Sequence, residues 1–235
     1  MVSENGFVAI VPAAGVGSRM QADKPKQYLR IAQQTVLEHT VNKLLAHPQI
    51  KQVYIAIGAN DPYFETLPLA THPAVTRVDG GKERADSVLS ALEKVLSDGY
   101  DGMVLVHDAA RPCVELADID QLIEQGSMSP DGAILATPVR DTMKRGDSRQ
   151  YISATVERCQ LWHALTPQFF DAKLLYHALA GALAAKVNIT DEASAIEWLG
   201  RAPRLVASSS ANIKITQPED LALAQFYLTH KGREE

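Results

Sequence analysis

The chain has 235 residues, of which 46% are hydrophobic, and it carries a formal net charge of −5. This length and composition suffice for one sizeable hydrophobic core, and the mildly acidic balance, with no basic stripe, argues against a general nucleic-acid-binding protein. No apolar run reaches the roughly eighteen residues that cross a bilayer, so the sequence predicts no membrane span.

The N-terminus and the cysteines bear on cellular location and cofactors. The first residues, MVSENGF, lack the basic and apolar regions of a signal peptide, which favours a cytoplasmic protein. Cys113 and Cys159 are far apart and form neither a C-x-x-C pair nor a zinc-ligand spacing. We therefore expect reduced thiols rather than a disulfide or a zinc site.

The first predicted element is a buried strand over residues 7–11, which Pro12 ends. A loop of small residues follows, AAGVGSR, over residues 13–19. Small side chains let phosphate groups approach the backbone N–H groups, and an arginine adds donors that match phosphate oxygens. Pro25 then stiffens the segment that carries Lys26.

Several kinds of loop share some of these features. A dinucleotide site requires G-x-G-x-x-G/A, but Met20 occupies the third position, and no acidic residue closes a second strand about twenty residues on. A P-loop requires G-x-x-x-x-G-K-[ST], a string that the chain lacks. The order strand, A-A-G-x-G-x-R, then P-K is typical of a nucleotidyltransferase loop, in which Arg19 and Lys26 meet the phosphates of a nucleoside triphosphate. A solvated surface turn is the remaining interpretation.

Strand and helix patterns alternate through the first half of the chain. Helices are predicted over residues 35–47, 84–96 and 118–125, and strands over residues 52–57, 74–78, 103–106 and 132–139. This alternation predicts an α/β fold with a parallel sheet covered by helices, in one domain or in one domain with an appendage.

Polar residues follow the ends of four predicted strands. The glycine loop ends the first strand, DGGKER (79–84) the third, HDAARP (107–112) the fourth and PVRDT (138–142) the fifth. In parallel sheets ligands bind outside the carboxyl ends of the strands, so these loops together predict a single site. Asp108 is its best placed acid for Mg²⁺, an ion that commonly takes only one or two protein carboxylates.

The second half of the sequence departs from this alternation. Residues 143–147 are predicted as a polar turn between two extended pieces, the second over residues 151–156, so that a hairpin projects from the sheet. A lone exposed hairpin is marginal in water, and we expect this one to need a partner surface. The further predictions are helices over 169–185, 190–199 (capped by Thr190) and 218–228, and strands over 204–206 and 213–215.

A series of strings occurs in order along nearly the whole chain: VPAAGVGSRM, PKQY, DGGKERADSV, HDAARP, PVRDTMKR, LWHALTPQ, ITDEASAIE and NIKITQPEDL. Together they resemble the 2-C-methyl-D-erythritol 4-phosphate cytidylyltransferases of the non-mevalonate isoprenoid pathway. The resemblance implies a Rossmann-like nucleotidyltransferase fold, with a single domain over residues 1–235 and a hairpin arm inserted at about 141–157. It also implies CTP- and Mg²⁺-dependent transfer of a cytidylyl group to a polyol phosphate, with release of pyrophosphate, in a homodimer held by the arm.

The resemblance implies roles for individual residues as well. The catalytic residues would be Arg19, Lys26, Arg158 and Lys214. The CTP-binding residues would be Pro12, Ala13, Ala14, Gly15, Gly17, Arg19, Lys26, Gly81, Ser87, Asp108 and Ala109. The acceptor-binding residues would be Asp108, Arg111, Thr142, Arg158, Thr166, Thr190 and Lys214, with Asp108 also as the metal ligand. One position departs from the family pattern, since some members carry an acid where this chain has Lys82.

The implied chemistry agrees with the residue types in the chain. The nucleophile would be an oxygen of a phosphate monoester, which is already anionic at neutral pH, so no general base is required. Two polyanions must approach each other, and catalysis of this kind consists of positioning plus fixed positive charge. Arg19, Lys26, Arg158, Lys214 and one Mg²⁺ meet that requirement.

Other functions stay open from the sequence. A ribitol 5-phosphate cytidylyltransferase would share the nucleotide loop and differ in its acceptor pocket. A dinucleotide-dependent oxidoreductase is disfavoured by Met20, and a non-catalytic nucleotide-binding regulator is disfavoured by Arg19 and Lys26. Without the resemblance, Arg158 and Lys214 would be read as solvated surface charges.

Overall fold

The computed structural model describes residues 6–15 and 24–230, so Gly17 and Arg19 of the predicted nucleotide loop lie outside the described residues. The strands are β1 Phe7–Pro12, β2 Arg30–Ile31, β3 Gln34–Thr35, β4 Ile50–Ile57, β5 Val75–Asp79, β6 Met103–Val106, β7 Ala133–Pro138, β8 Met143–Gly146, β9 Ile152–Val156, β10 Trp162–Asp171 and β11 Arg204–Ala207. The α-helices are α1 Val36–Leu45, α2 Arg84–Ser97, α3 Leu116–Ser127, α4 Ala172–Ala184, α5 Glu192–Trp198 and α6 Pro218–His230.

A seven-stranded sheet in the order β11-β7-β10-β6-β1-β4-β5 forms the centre of the fold. β1 pairs in parallel with β4 and β6, β4 with β5, and β11 with β7, whereas β10 is antiparallel to both β6 and β7. The predicted mostly parallel sheet between helices is therefore confirmed. All its strands except β10 have their carboxyl ends at one edge, as the predicted site requires.

The central strand β1 is buried on both faces. Val8 and Ile10 pack into an apolar cluster with α2, α4 and α5, while Ala9 and Val11 pack into a second cluster with α1 and α3. Full burial of a side chain such as Ile10 contributes about 1.5–3 kcal/mol. The loop that follows β1 therefore starts from an anchored point in the middle of the sheet.

Two predictions about the second half of the main sheet were wrong. Phe169, predicted to begin a helix, lies within β10, and α4 starts only at Ala172 because the Asp171 side chain accepts a hydrogen bond from the Leu174 N–H and caps the helix. Residues 213–215 form no strand. The Ile215 N–H instead donates to the Ala110 carbonyl at 2.9 Å, which holds this segment against the loop after β6.

Residues 143–147 were also predicted incorrectly, because most of them form β8 rather than a turn. β8 pairs antiparallel with β9 in a two-stranded sheet of its own. The turn follows Gly146, where Oδ1 of Asp147 accepts from the N–H groups of Arg149 and Tyr151. Every residue from 144 to 155 is exposed, so this hairpin has no packing surface within the described chain.

The remaining predicted helices and strands are present with slightly shifted ends. The helix predicted over residues 35–47 is α1, where Thr35 and Glu38 form a reciprocal capping box. Among the residues that the structure describes, no helix is both long and apolar enough to cross a membrane.

Candidate active site

Two adjoining cavities open at the carboxyl edge of the sheet. The first has a volume of about 220 Å³ and the second of about 230 Å³. Arg84, Asp108 and Lys214 line both cavities and form the wall between them. This arrangement fits two ligands that meet at the three charged side chains.

The first cavity contains every described residue that was predicted to bind CTP. They are Pro12, Ala13, Ala14, Gly15, Lys26, Gly81, Ser87, Asp108 and Ala109. They come from the end of β1, from the segments that follow β1, β5 and β6, and from the first turn of α2. Lys82, the position that departs from the family pattern, lines the same cavity.

Close contact between two loops shapes this first cavity. A Cβ atom at Gly80 would lie 2.6 Å from Cβ of Ala14, a distance that real Cβ atoms do not reach. A Cβ at Gly81 would collide with Asp86 in the same way. The Gly81 N–H donates to Oγ of Ser87 at 3.1 Å. Gly80 thus lets the loop after β5 touch the loop after β1, Gly81 lets it pack against the first turn of α2, and the hydrogen bond to Ser87 holds it there.

The Gln27 side chain holds the loop after β1 by hydrogen bonds to its main chain. Its Nε2 donates to the main-chain oxygens of Ala13 at 2.8 Å and Gly15 at 3.0 Å, and the side chain is buried. Gln27 follows Lys26 within one 3₁₀ turn, Lys26–Tyr28, so these hydrogen bonds also tie Lys26 to the loop. We did not predict this residue from the sequence, because no local pattern indicates which carbonyls a distant amide will reach.

Asp108 is a buried carboxylate surrounded by cations. Oδ1 accepts from Nε of Arg84 at 2.8 Å, and Oδ2 lies 2.8 Å from Nζ of Lys214 and 3.6 Å from Nε of Arg111. Burial alone would raise the pKa of Asp108, but the charges of Arg84, Lys214 and Arg111 outweigh that effect and hold the pKa well below its usual range. The carboxylate is therefore ionised at neutral pH.

Asp108 is the candidate protein ligand for a divalent cation, although Arg84 and Lys214 already contact its two oxygens. Over residues 6–15 and 24–230, no group of three or more His, Cys, Asp or Glu side chains is placed to hold a metal ion. Mg²⁺ commonly takes one or two protein carboxylates and completes its coordination with phosphate oxygens and water. Asp108 supplies one ionised carboxylate at the wall between the two cavities, and a bound Mg²⁺ would have to displace Arg84 or Lys214 from one of its oxygens.

Thr166 connects Asp108 to a buried histidine. Its Oγ1 accepts from the Asp108 N–H at 3.0 Å and donates to Nδ1 of His107 at 2.9 Å, while Nε2 of His107 donates to the Arg111 carbonyl at 3.0 Å. Burial lowers the pKa of His107 to about 4, so the ring is neutral. The histidine is thus a hydrogen-bonded partner rather than an acid–base group, and Thr166 orients the main chain of Asp108.

The second cavity contains most of the residues that were predicted to bind the acceptor. They are Asp108, Arg111, Thr166, Thr190 and Lys214. Thr142 and Arg158 line neither cavity and are exposed. The Arg158 guanidinium instead donates to the Arg140 carbonyl. Within one chain, therefore, the structure does not bring Arg158 to the other predicted catalytic residues.

Thr190 was wrongly predicted to cap α5. The cap is Asp191, whose side chain accepts from the Ser194 N–H, and Ser194 returns the bond in a capping box. Threonine and aspartate are both favourable caps, so the sequence alone does not separate the two neighbours. Thr190 lies one residue outside the cap, at the wall of the second cavity.

We did not predict Arg84 and Glu192 as site residues. Nη1 and Nη2 of Arg84 donate to the two carboxylate oxygens of Glu192 at 2.6 and 3.0 Å, while Nε donates to Asp108. Burial alone would lower the pKa of Arg84, but the charges of Glu192 and Asp108 raise it above its usual value. Because 108 residues separate Arg84 from Glu192, no sequence spacing links them.

Comparison with known proteins agrees with this site. The model of the 2-C-methyl-D-erythritol 4-phosphate cytidylyltransferase family matches residues 7–230. The chain is similar to proteins of that name from Vibrio cholerae, with 65% identity over 96% of this chain and 97% of the other, and from Shewanella frigidimarina, with 56% identity over 96% and 97%. It is also similar to the crystal structure of the Francisella tularensis protein of that name, with a TM-score of 0.80 and 35% identity over 94% of this chain and 99% of the other. The chain therefore belongs to the 2-C-methyl-D-erythritol 4-phosphate cytidylyltransferase family.

Proposed function

We propose that the chain transfers a cytidylyl group from CTP to 2-C-methyl-D-erythritol 4-phosphate, giving 4-(cytidine 5'-diphospho)-2-C-methyl-D-erythritol and pyrophosphate in isoprenoid precursor biosynthesis. The observation that carries the proposal is the pair of cavities that share Asp108 and Lys214. One cavity has the small residues of a nucleotide loop and the other has the cations that an acceptor phosphate needs. The relatives are named for this reaction, so ribitol 5-phosphate is not favoured as the acceptor.

In this reaction an oxygen of the acceptor phosphate forms a bond to the α-phosphorus of CTP. The bond from that phosphorus to the oxygen bridging to the β-phosphate breaks, and pyrophosphate leaves with the electron pair. The attacking oxygen is already anionic, so no residue has to remove a proton. Catalysis then depends on positive charge that is in place before charge develops on the phosphoryl oxygens.

The chain supplies this charge from several elements. Lys26 lies at the first cavity, where the triphosphate is proposed to bind with Arg19. Lys214 and Arg111 lie at the second cavity and are proposed to hold the acceptor phosphate, with Thr166 and Thr190 along the wall. Asp108 would hold Mg²⁺, which when bound adds positive charge at the phosphate oxygens.

The nucleotide is proposed to contact the loops that surround the first cavity. The residues concerned are Pro12, Ala13, Ala14, Gly15, Gly17, Gly81, Ser87, Asp108 and Ala109. Small side chains leave main-chain N–H and carbonyl groups accessible, and such groups suit both phosphate oxygens and the edge of a base.

The hairpin of β8 and β9 is proposed to be a dimerisation arm of about residues 141–157, inserted in a single domain. Tyr151 and Ile152 are 71% and 68% exposed, and a second copy of the chain would cover them. Because twofold interfaces are isologous, each arm would reach the other subunit. Thr142 and Arg158 lie at the base of the arm, and we propose that they contact the acceptor bound by the neighbour. A cytoplasmic location stays a prediction from the sequence.

The test is pyrophosphate release with CTP, Mg²⁺ and a panel of polyol phosphates. We expect 2-C-methyl-D-erythritol 4-phosphate to give the highest kcat/KM and ribitol 5-phosphate a much lower one. Lys214→Ala should abolish most of the activity, and Lys173→Ala, which changes an exposed lysine outside both cavities, should keep it. Equal rates with both acceptors, or no release with either, would overturn the assignment.

A further inference from the structure

We propose that Glu192 and Arg84 form a positioning pair for Asp108. Glu192 holds the Arg84 guanidinium in the one orientation that directs Nε to Oδ1 of Asp108. The inference rests on the proposed function, because Asp108 lies between the two proposed substrates.

The geometry of the guanidinium carries the proposal. Its donors lie in one plane in a fixed fork, so a carboxylate bound to both Nη atoms also sets the direction of Nε–H. Glu192 binds in this way at 2.6 and 3.0 Å, and Nε lies 2.8 Å from Asp108. The bidentate pair therefore determines where one oxygen of Asp108 is held.

The positive charge of Arg84 explains why a carboxylate is needed at its two Nη atoms. Arg84 lines the first cavity, so without Glu192 its two Nη groups would be available to bind the phosphates of CTP. Glu192 is fully buried and accepts two bonds from the guanidinium, which keeps Arg84 directed at Asp108. A buried ion pair contributes little net stability relative to apolar packing, so stability alone does not explain its presence.

Hydrogen bonds to the residues on either side of Glu192 hold the start of α5 in place. The N–H of Ala193 donates to Oε1 of Gln168 at 2.8 Å, and Nε2 of Gln168 donates to Asp191 at 2.8 Å. These bonds anchor the start of α5 to β10, beside Thr190 at the second cavity. The ion pair thus links the start of α2, at the nucleotide side, to the start of α5, at the acceptor side.

The proposal predicts an effect on turnover rather than on nucleotide affinity. Glu192→Gln keeps the shape of the side chain but removes its charge, which frees Arg84 to turn towards the phosphates. We expect kcat to fall about 10- to 100-fold, as for partners that orient a ligand residue, while KM for CTP stays within about twofold or falls. Glu197→Gln, an exposed change on the same helix, should leave both constants unchanged.

A double-mutant cycle tests whether Glu192 acts through Arg84. Wild type, Glu192→Gln, Arg84→Gln and the double variant are assayed for kcat per CTP-binding site, with the sites counted by isothermal titration calorimetry. If Glu192 acts through Arg84, Glu192→Gln should lower kcat at least about tenfold in the wild type but less than about twofold when Arg84 is already Gln. An equal loss in both backgrounds, or a kcat of Glu192→Gln within twofold of wild type, would overturn the pair.

A substitute variant and the wild-type control make the result of the cycle interpretable. If Arg84→Gln yields no folded protein, the cycle is run with Arg84→Lys, which keeps the charge but has no fork for two carboxylates, and the same non-additivity is expected. The wild-type assay separates the two hypotheses. An inactive wild type would overturn the proposed function together with the positioning role, whereas an active wild type with an unaffected Glu192→Gln variant would overturn the positioning pair alone.

Discussion

Lys26 and Ile215 join distant parts of the chain at the first cavity, where Nζ of Lys26 donates to the Ile215 carbonyl at 3.0 Å. The residue before Ile215 is Lys214, whose ammonium group lies 2.8 Å from Asp108. One segment between β11 and α6 therefore places both lysines at the cavity. The two positive charges are in place before any substrate binds, as electrostatic catalysis requires.

We predict that Lys26→Ala lowers kcat more than it raises KM for CTP. Lys26 is proposed to meet negative charge that grows in the transition state, and loss of one such contact costs roughly 2.7–4 kcal/mol, or about 10²–10³ in kcat. Steady-state kinetics with varied CTP measure both constants. Lys24→Ala, on the same loop but outside the cavity lining, is the control and should resemble wild type. A kcat near wild type with a raised KM would assign Lys26 to ground-state binding instead.

A second prediction concerns the base. We expect kcat/KM for CTP to exceed that for UTP and for ATP by at least ~10²-fold, because a site that pairs with an amino group is left with an unpaired polar group when the analogue lacks it. Gly81 and Ser87, joined by a 3.1 Å hydrogen bond, hold the loop that we expect to read the base edge. Pyrophosphate release with each nucleotide measures the preference. Comparable values for CTP and UTP would contradict a cytidylyl transfer.

Gln27→Leu should loosen the nucleotide loop without removing a charge. The two hydrogen bonds from Nε2 to Ala13 and Gly15 are lost, at a net cost of about 0.5–1.5 kcal/mol each. We expect the free energy of unfolding to fall by about 1–3 kcal/mol and KM for CTP to rise several-fold. Denaturant titration and steady-state kinetics measure these effects, with the exposed change Gln33→Leu as the control. An unchanged KM for CTP would show that these hydrogen bonds do not shape the nucleotide cavity.

Stability at high pH should depend on Tyr54. Burial and a hydrogen bond to Asp98 raise the pKa of Tyr54 to about 12, from an ordinary value of 10.0. Between these values the unfolded chain releases the phenolic proton while the folded chain retains it, so the stabilisation present below pH 10 is lost as the pH rises towards 12. Denaturant unfolding at pH 8 to 12 should therefore show a shallower decline for Tyr54→Phe. Parallel curves for the two proteins would contradict the raised pKa.

A further prediction places Arg158 in the neighbouring subunit's site. Arg158 lines neither cavity of its own chain and lies at the base of the hairpin, so we expect it to act on the acceptor beside the other subunit's Lys26. Lys26→Ala and Arg158→Ala, each expected to lose nearly all activity alone, are mixed so that subunits exchange. With random pairing each mixed dimer regains one intact site, and about a quarter of all sites recover. Exchange confirmed by mass spectrometry without any recovery would contradict action in trans.

Local sequence patterns predicted the helices and strands of the first half of the chain well. They failed where long-range contacts determine the secondary structure. Continuous apolar runs such as β6 are buried on both faces and were recognised as strands. β10 was missed because Pro167 interrupts it and because Phe169 and Phe170 also fit the start of a helix. Ile213 and Ile215 alternate like a strand, but this segment joins no sheet and instead holds the loop after β6 through the hydrogen bond from the Ile215 N–H to the Ala110 carbonyl.

The residues of the candidate site likewise divide into those that motifs predicted and those that only the folded chain reveals. Asp108, Lys26 and Lys214 were predicted from motifs that match a known family, and the structure places all three at one cavity. The groups that hold them, Gln27 and the pair of Arg84 and Glu192, were not predicted. Their contacts are hydrogen bonds between elements that meet only in the folded chain, and no period or spacing in the sequence encodes such a meeting.

Because β10 runs in the reverse direction, the second half of the chain supplies part of the wall of the second cavity. Because β10 runs against its neighbours, its first half rather than its end reaches the edge where ligands bind, and it supplies Ala164, Leu165 and Thr166 to the second cavity. Thr190 and Asp191 join them from the same half of the sequence. Exchange of these short stretches would reshape the acceptor wall while leaving the loops after β1 and β5 unaltered. Arg84, Asp108 and Arg111, which come from the first half of the chain, would stay in place as the charged part of that wall.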